Sequence, residues 1–215
     1  MTLLLEQERR LICRFGRKLI EDRLIRGTSG NLSLLDRLTG LVAISPSGLD
    51  YLKMTPDDIV VVDLDGRVQD GTRKPSSELP LHRVLYQNRA DIAAVVHTHS
   101  TFSTVLSCLG WDLPAVHYML TPAGENVRCS RYATFGSAAL AENALEAMTD
   151  RHAVLLANHG LVAAGPDLAA AYATAAETEF CAELYWRSRC VGQPNILDHT
   201  EMEKMAILFK SYGQK

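Results

Sequence analysis

No stretch of the chain approaches the ~18 consecutive apolar residues of a transmembrane helix. The run Leu3-Leu4-Leu5 is cut short by Glu6, Glu8, Arg9 and Arg10, so it is too brief for the core of a signal peptide. Basic blocks are missing, as is any basic stripe interleaved with aromatics. The net charge of −3 offers nothing to nucleic acid or to an anionic membrane surface. Five scattered cysteines include no CxxC pair, which argues against a disulfide framework or a thiolate zinc site and fits a reducing cytoplasm. Repeats, low-complexity tracts and linker-like segments are absent, leaving one domain over 1–215 as the economical reading. The sequence also argues against a dinucleotide loop, because "GTSGN" lacks the GxGxxG spacing and follows a helix rather than a strand.

What is present alternates short apolar runs with small-residue turns. Leu11, Phe15 and Leu19 recur at helical spacing and predict an amphipathic first helix. "RGTSGNLSLLD" and "GLVAISPSGLDY" each combine a turn with a strand, and Asp65-Gly66 in "DIVVVDLDGRVQDG" marks a hairpin. "KPSSELPLHRVLYQ" opens a helix that Ser76 or Ser77 can cap, with Pro80 early enough to be tolerated. "DIAAVVHTHS" reads as a buried strand and "WDLPAVHYML" as a further short strand. "GSAALAENALEAM" is strongly helical, and "HAVLLANHGLVAAG" is strand, glycine turn and strand. A long alanine-rich helix and a short last helix complete the chain. Hairpins mixed with helices predict an α/β or α+β domain, with a mixed sheet and helices packed on it.

The stretch "VVHTHS" carries the first chemistry. On a strand His97 and His99 point to one face, ~6–7 Å apart along the backbone, while Thr98 points to the other. Two imidazoles so placed can share an ion, or can simply be a hydrogen-bonded pair at a strand end. "LLANHG" repeats the arrangement, so His159 can join them if the strand ends match. Glu78, at the start of the predicted helix, offers a carboxylate. Such a donor set suits Zn²⁺, without excluding Mn²⁺, Co²⁺ or Fe²⁺. His82, four residues after Glu78, fits a ligand or a supporting role; His117, His152 and His199 occur singly and read as surface or core residues. The turns Gly30-Asn31, Ser47-Gly48 and Ser76-Ser77 each offer N–H groups and a short polar side chain to an anion. Taken singly, each is also an ordinary turn or cap.

In order, "GTSGNLS", "ISPSGLDY", "KPSSELPLH", "VVHTHS", "PAVHYM", "YATFGS", "NHGL" and the closing "YG" resemble the class II aldolase family, which includes L-fuculose-phosphate aldolase and L-ribulose-5-phosphate 4-epimerase. The resemblance covers nearly the whole chain and is nearest to the fuculose-phosphate aldolase branch. It implies a single three-layer α/β/α domain around a mixed, largely antiparallel sheet. It also implies zinc held by Glu78, His97, His99 and His159, and a phosphate pocket of Gly30, Asn31, Ser47, Gly48, Ser76 and Ser77. Tyr118 in "HYM" becomes the acid at the aldehyde oxygen and Glu78 the base, with Phe135 and Tyr212 near the aldehyde end.

The implied reaction is reversible cleavage of a ketose 1-phosphate, L-fuculose 1-phosphate foremost, to dihydroxyacetone phosphate and an aldehyde such as L-lactaldehyde. The implied assembly is a cyclic homotetramer with active sites at subunit interfaces. Departures fall at Ser47, where the resemblance leads one to expect threonine, and in "TPAGEN" and "RCSRYATFG", near the aldehyde end. Decarboxylation of a 3-oxo-tetronate 4-phosphate, 4-epimerisation, and a non-enzymatic adducin-like role are the alternatives that the same motifs allow.

Overall fold

The chain begins with α1 (Glu6–Glu21), β1 (Asn31–Asp36), β2 (Leu41–Ile44), β3 (Val60–Asp63) and β4 (Val68–Asp70). It continues through α2 (Leu79–Asn88), β5 (Ala94–Thr98), α3 (Thr101–Leu109), β6 (Cys129–Ser130) and α4 (Ala138–Ala147). The antiparallel pair β7 (Ala153–Leu156) and β8 (Gly160–Gly165), the long α5 (Leu168–Val191) and α6 (His199–Phe209) complete it. This is a computed structural model, and it describes residues 3–209 and 211.

All eight strands form one sheet in the order β4-β3-β2-β1-β5-β8-β7-β6, antiparallel except for the β6–β7 pair. Both faces are buried, and the strands show it residue by residue. In β5, Ala94 and Val96 join the apolar layer beneath α1, α3, α5 and α6, while Val95 joins the layer beneath α2 and α4. Leu161 and Ala163 of β8 divide from Val162 and Ala164 in the same way. This period of two under helices on both sides gives the expected three-layer α/β/α domain.

Side-chain caps explain where two of the helices begin. The Ser137 hydroxyl accepts from Leu140 N (3.2 Å) at the start of α4, and the Asp167 carboxylate accepts from Ala170 N (2.8 Å) at the start of α5. Two expectations need correction. Neither Ser76 nor Ser77 is the N-cap of α2: Glu78 holds that position, and Ser76 Oγ accepts from the Glu78 amide at 3.2 Å. The stretch 111–120 holds no strand, only one isolated bridge between Leu113 and Val127 followed by a 3₁₀ turn at Tyr118–Leu120. Leu113 and Ala115 are buried between partly exposed neighbours, so the alternation is real. It arises from extended chain lying over the helical layer, where Pro114 could not donate to a ladder.

Candidate metal centre and its cavity

The topology brings three chain segments to one end of the sheet. Strands β5 and β7 run in the same direction with β8 antiparallel between them, so His99 after β5 and His159 after β7 emerge together. The strand ends thus match although β8 separates the two strands. Asn31 lies directly opposite His97 in the β1–β5 register, and cross-strand partners share a face. That face carries α2, whose N-terminus delivers Glu78. Helix α3 follows His99 and is held by Glu179 of α5, which accepts from Phe102 N and Ser103 N at 2.8 Å each. A carboxylate at that position also suits the helix dipole.

The three imidazoles pack edge to face, with ring centroids 4.8 to 5.0 Å apart. One nitrogen from each lies within 4.8 Å of the others. His97 Nε2 is 3.0 Å from His99 Nε2 and 3.2 Å from Glu78 Oε2, and His159 Nε2 is 3.4 Å from Glu78 Oε1. Donor atoms on one tetrahedral ion with bonds of ~2.0–2.1 Å stand about 3.3 Å apart, so the His97–His99 and His159–Glu78 Oε1 separations are compatible with coordination of one ion. His97 Nδ1 donates to the Leu161 carbonyl at 2.9 Å, which leaves the lone pair of Nε2 directed at the cluster. Glu78 Oε1 is buried without a hydrogen-bond partner, as an oxygen reserved for a cation would be.

The electrostatics agree. Burial, helped by the neighbouring imidazoles and opposed by Glu78, pushes His97 down to about 3, and burial likewise lowers His99. Burial also works against the Glu78 carboxylate, but His97, His159 and the Asn31 amide outweigh it and hold the carboxyl below its ordinary range. Neutral His97 and His99 beside an anionic Glu78 are the protonation states in which these side chains present electron pairs.

Glu78, His99 and His159 line a cavity of about 340 Å³, with His97 buried behind them. Gly30, Asn31, Ser47, Gly48, Ser76 and Ser77 all line it, so the three predicted turns converge. Their donors are only partly available. Ser47 N donates to Lys74 O (3.0 Å) and Ser76 N to Ser45 O (3.1 Å), so these two serines offer hydroxyls rather than amides. The Asn31 side chain is engaged behind the wall, its Nδ2 donating to Glu78 Oε2 at 2.8 Å. Gly30 is fixed by its surroundings, since its φ is +75° and an added Cβ would stand 2.6 Å from the His97 carbonyl oxygen. Phe135 lines the cavity; Tyr118 is not among the lining residues and lies on the exposed 3₁₀ turn, stacked on His117 at 4.5 Å. Tyr212 lies outside the described residues.

Residues 10–186 match the family model for the class II aldolase and adducin N-terminal domain. The chain belongs to that family. The 5-deoxy-D-ribulose 1-phosphate aldolase of Bacillus thuringiensis serovar kurstaki is 50% identical over 213 residues, covering 99% of this chain and 100% of the relative. The L-fuculose phosphate aldolase of Escherichia coli K12 is 39% identical over 190 residues, 87% of each chain. A solved structure of an L-fuculose 1-phosphate aldolase superposes with a TM-score of 0.93 at 46% identity, covering 95% of this chain and 96% of its own.

Within this class II aldolase domain, Thr28, Ser29, Tyr132, Ala133 and Asn158 also line the cavity, although sequence reasoning did not single them out. Thr28 and Ser29 belong to the same turn as Gly30, and Tyr132 and Ala133 precede Phe135 in "YATFGS", so the motifs contained the signal. No helix among the described residues is long and apolar enough to cross a membrane.

Proposed function

We propose that the protein is a divalent-metal-dependent aldolase that cleaves a ketose 1-phosphate to dihydroxyacetone phosphate and a short aldehyde. The observation that carries this reading is the cluster of His97, His99 and His159, one nitrogen of each within 4.8 Å of the others, beside the buried Glu78 carboxylate at a cavity walled by hydroxyls and glycine turns. Glu78, His97, His99 and His159 would hold the metal, and nitrogen donors with one carboxylate favour zinc. Once bound, the ion supplies Lewis acidity for the negative charge that develops on the ketone oxygen as C3–C4 breaks.

The remaining work belongs to side chains. Hydroxyls of Ser47, Ser76 and Ser77 hold the phosphate end and set the distance from it to the reacting carbons. In the synthetic direction Glu78 takes a proton from the hydroxymethyl carbon of dihydroxyacetone phosphate. That carbon forms the new bond to the aldehyde, and Tyr118 gives the aldehyde oxygen its proton; cleavage reverses both transfers. Because Tyr118 is outside the cavity of its own chain, it serves a neighbouring subunit in a cyclic tetramer, with Phe135 and Tyr212 at the aldehyde end. Five free cysteines fit the reducing cytoplasm as its location.

For the substrate we favour 5-deoxy-D-ribulose 1-phosphate, which cleaves to dihydroxyacetone phosphate and acetaldehyde. The support is the higher identity to the relative named for that sugar, 50% against 39% for the curated fuculose-phosphate enzyme. L-Fuculose 1-phosphate, which would yield L-lactaldehyde, is the second reading, supported by the 46% identical solved structure. The test is to give each sugar to zinc-loaded protein and measure dihydroxyacetone phosphate. The deoxypentulose should show the larger kcat/KM. A larger value for the fuculose ester selects the second reading. Carbon dioxide released from a 3-oxo-tetronate 4-phosphate, without the ketone product from either sugar, overturns the aldolase assignment.

A further inference from the structure

Behind the metal centre, five buried side chains form one unbroken line: Tyr86, Ser33, His82, Asn31 and Glu78. Tyr86 OH lies 2.6 Å from Ser33 Oγ, Ser33 Oγ lies 2.6 Å from His82 Nδ1, and His82 Nε2 lies 2.5 Å from Asn31 Oδ1. Asn31 Nδ2 then donates to Glu78 Oε2 at 2.8 Å. Two periodicities build it: Asn31 and Ser33 share one face of β1, and Glu78, His82 and Tyr86 recur every four residues at and along α2.

The chemistry of the groups fixes the direction of the donors. A carboxylate only accepts, so Asn31 turns its NH₂ to Glu78 and its carbonyl to His82. His82 must then carry its hydrogen on Nε2, which makes Nδ1 an acceptor for the Ser33 hydroxyl. The Ser33 oxygen accepts in turn from Tyr86. Every hydrogen in the line points toward Glu78 Oε2, while Oε1 has no hydrogen-bond partner.

We propose that His82 is a positioning residue: through Asn31 it fixes the rotation of the Glu78 carboxylate, occupying Oε2 and presenting Oε1 to the cation. The inference rests on the metal-centre reading above and adds a role for Asn31 beyond its expected place in the phosphate pocket. It predicts that removing the His82 donor changes metal coordination without touching any ligand.

The experiment compares His82→Asn with His82→Gln in full-length protein. The shorter amide occupies the place of Nδ1 and keeps the Ser33 contact but falls short of Asn31; the longer one reaches Asn31 in the place of Nε2. Zinc affinity of H82N should fall about 10–100-fold, the range for partners of metal-bound side chains. The visible d–d bands of Co²⁺-loaded H82N should shift, and its kcat should drop with KM unchanged. H82Q should stay much closer to the parent in all three. Equal behaviour of the two variants, or losses that follow the melting temperature of the metal-free proteins, would reduce His82 to packing and overturn the proposal. Should either variant fail to fold, Tyr86→Phe carries the test, with a smaller shift of the cobalt bands expected and unmoved bands overturning it. A parent protein that binds neither metal, or Glu78→Gln with unaltered cobalt bands, would instead sink the metal-centre reading itself.

Discussion

Two buried polar residues behave differently for reasons visible around each side chain. His97 is wholly buried, yet its ring nitrogens divide between a carbonyl and the neighbouring imidazoles. The two apolar layers do not depend on it, so His97→Ala should remove most bound metal and activity while circular dichroism stays native. Full metal retention would refute its assignment as a ligand. Arg9 is also fully buried, but it holds the structure together. It donates to Leu4 O (2.7 Å), Pro56 O (3.1 Å), Ile59 O (2.5 Å) and Asp70 (2.5 Å), tying α1 to the β3–β4 hairpin. Arg9→Leu would leave the buried Ile59 carbonyl unpaired and should lower the unfolding free energy by about 1–3 kcal/mol in a urea titration. Arg9→Lys should fall between, since an ammonium cannot reproduce the planar fork. Nothing in composition marks an arginine as buried. Its position does: residues 9, 12, 13, 15, 16 and 19 are the buried stripe of α1, which takes in Phe15 and Leu19 of the line read from sequence while Leu11 is only partly buried.

At the scale of the element, Gly160 shows why a motif can be legible while its reason is not. In sequence it reads as the glycine of a sharp turn, but the left-handed residue of that turn is Asn158 (φ 53°), and Gly160 already begins β8. Its lack of a side chain serves the β5–β8 approach, because an added Cβ would overlap the Thr98 carbonyl oxygen and press on the His99 ring. Gly160→Ala should therefore cost about 1–3 kcal/mol of stability. It should also weaken metal binding, since His99 and His159 flank the strained contact. Gly192→Ala, with open space around it, is the control. Equal metal affinity in both variants would show that the β5–β8 spacing does not set the ligand geometry. Period-two and period-four patterns made β1, β5, β8 and α2 readable. The two-residue β6 is too short to leave a pattern, and the extended 111–117 stretch mimicked one without a partner strand. The candidate site was legible because Glu78, His97, His99 and His159 each sit at or near the end of a recognisable element, whereas the Asn31–His82 line depends on register that only the fold supplies.

At the scale of the whole molecule, the proposed acid and the proposed metal centre belong to different surfaces. Tyr118 is 46% exposed on its 3₁₀ turn, while Tyr132 and Phe135 at the cavity are 64% and 67% exposed. A phenol so exposed acquires a defined proton partner only when another surface covers it, and exposed rings at the cavity invite the same cover. Within the proposed tetramer, Tyr118→Phe should keep its metal but lose about 10²–10⁴-fold in cleavage rate. His97→Ala should lose activity by the opposite route, keeping its tyrosine and losing the metal. Hybrids of the two variants then contain sites where a Tyr118→Phe subunit supplies the metal and a His97→Ala neighbour supplies the tyrosine. Random mixing in a cyclic assembly gives that arrangement at about a quarter of the interfaces, so differently tagged variants co-purified as hybrids should recover about a quarter of parental activity. Hybrids as inactive as their parents would place Tyr118 in the service of its own chain or outside the reaction. Recovery requires both that the site is shared and that His97 and Tyr118 act on opposite sides of one interface.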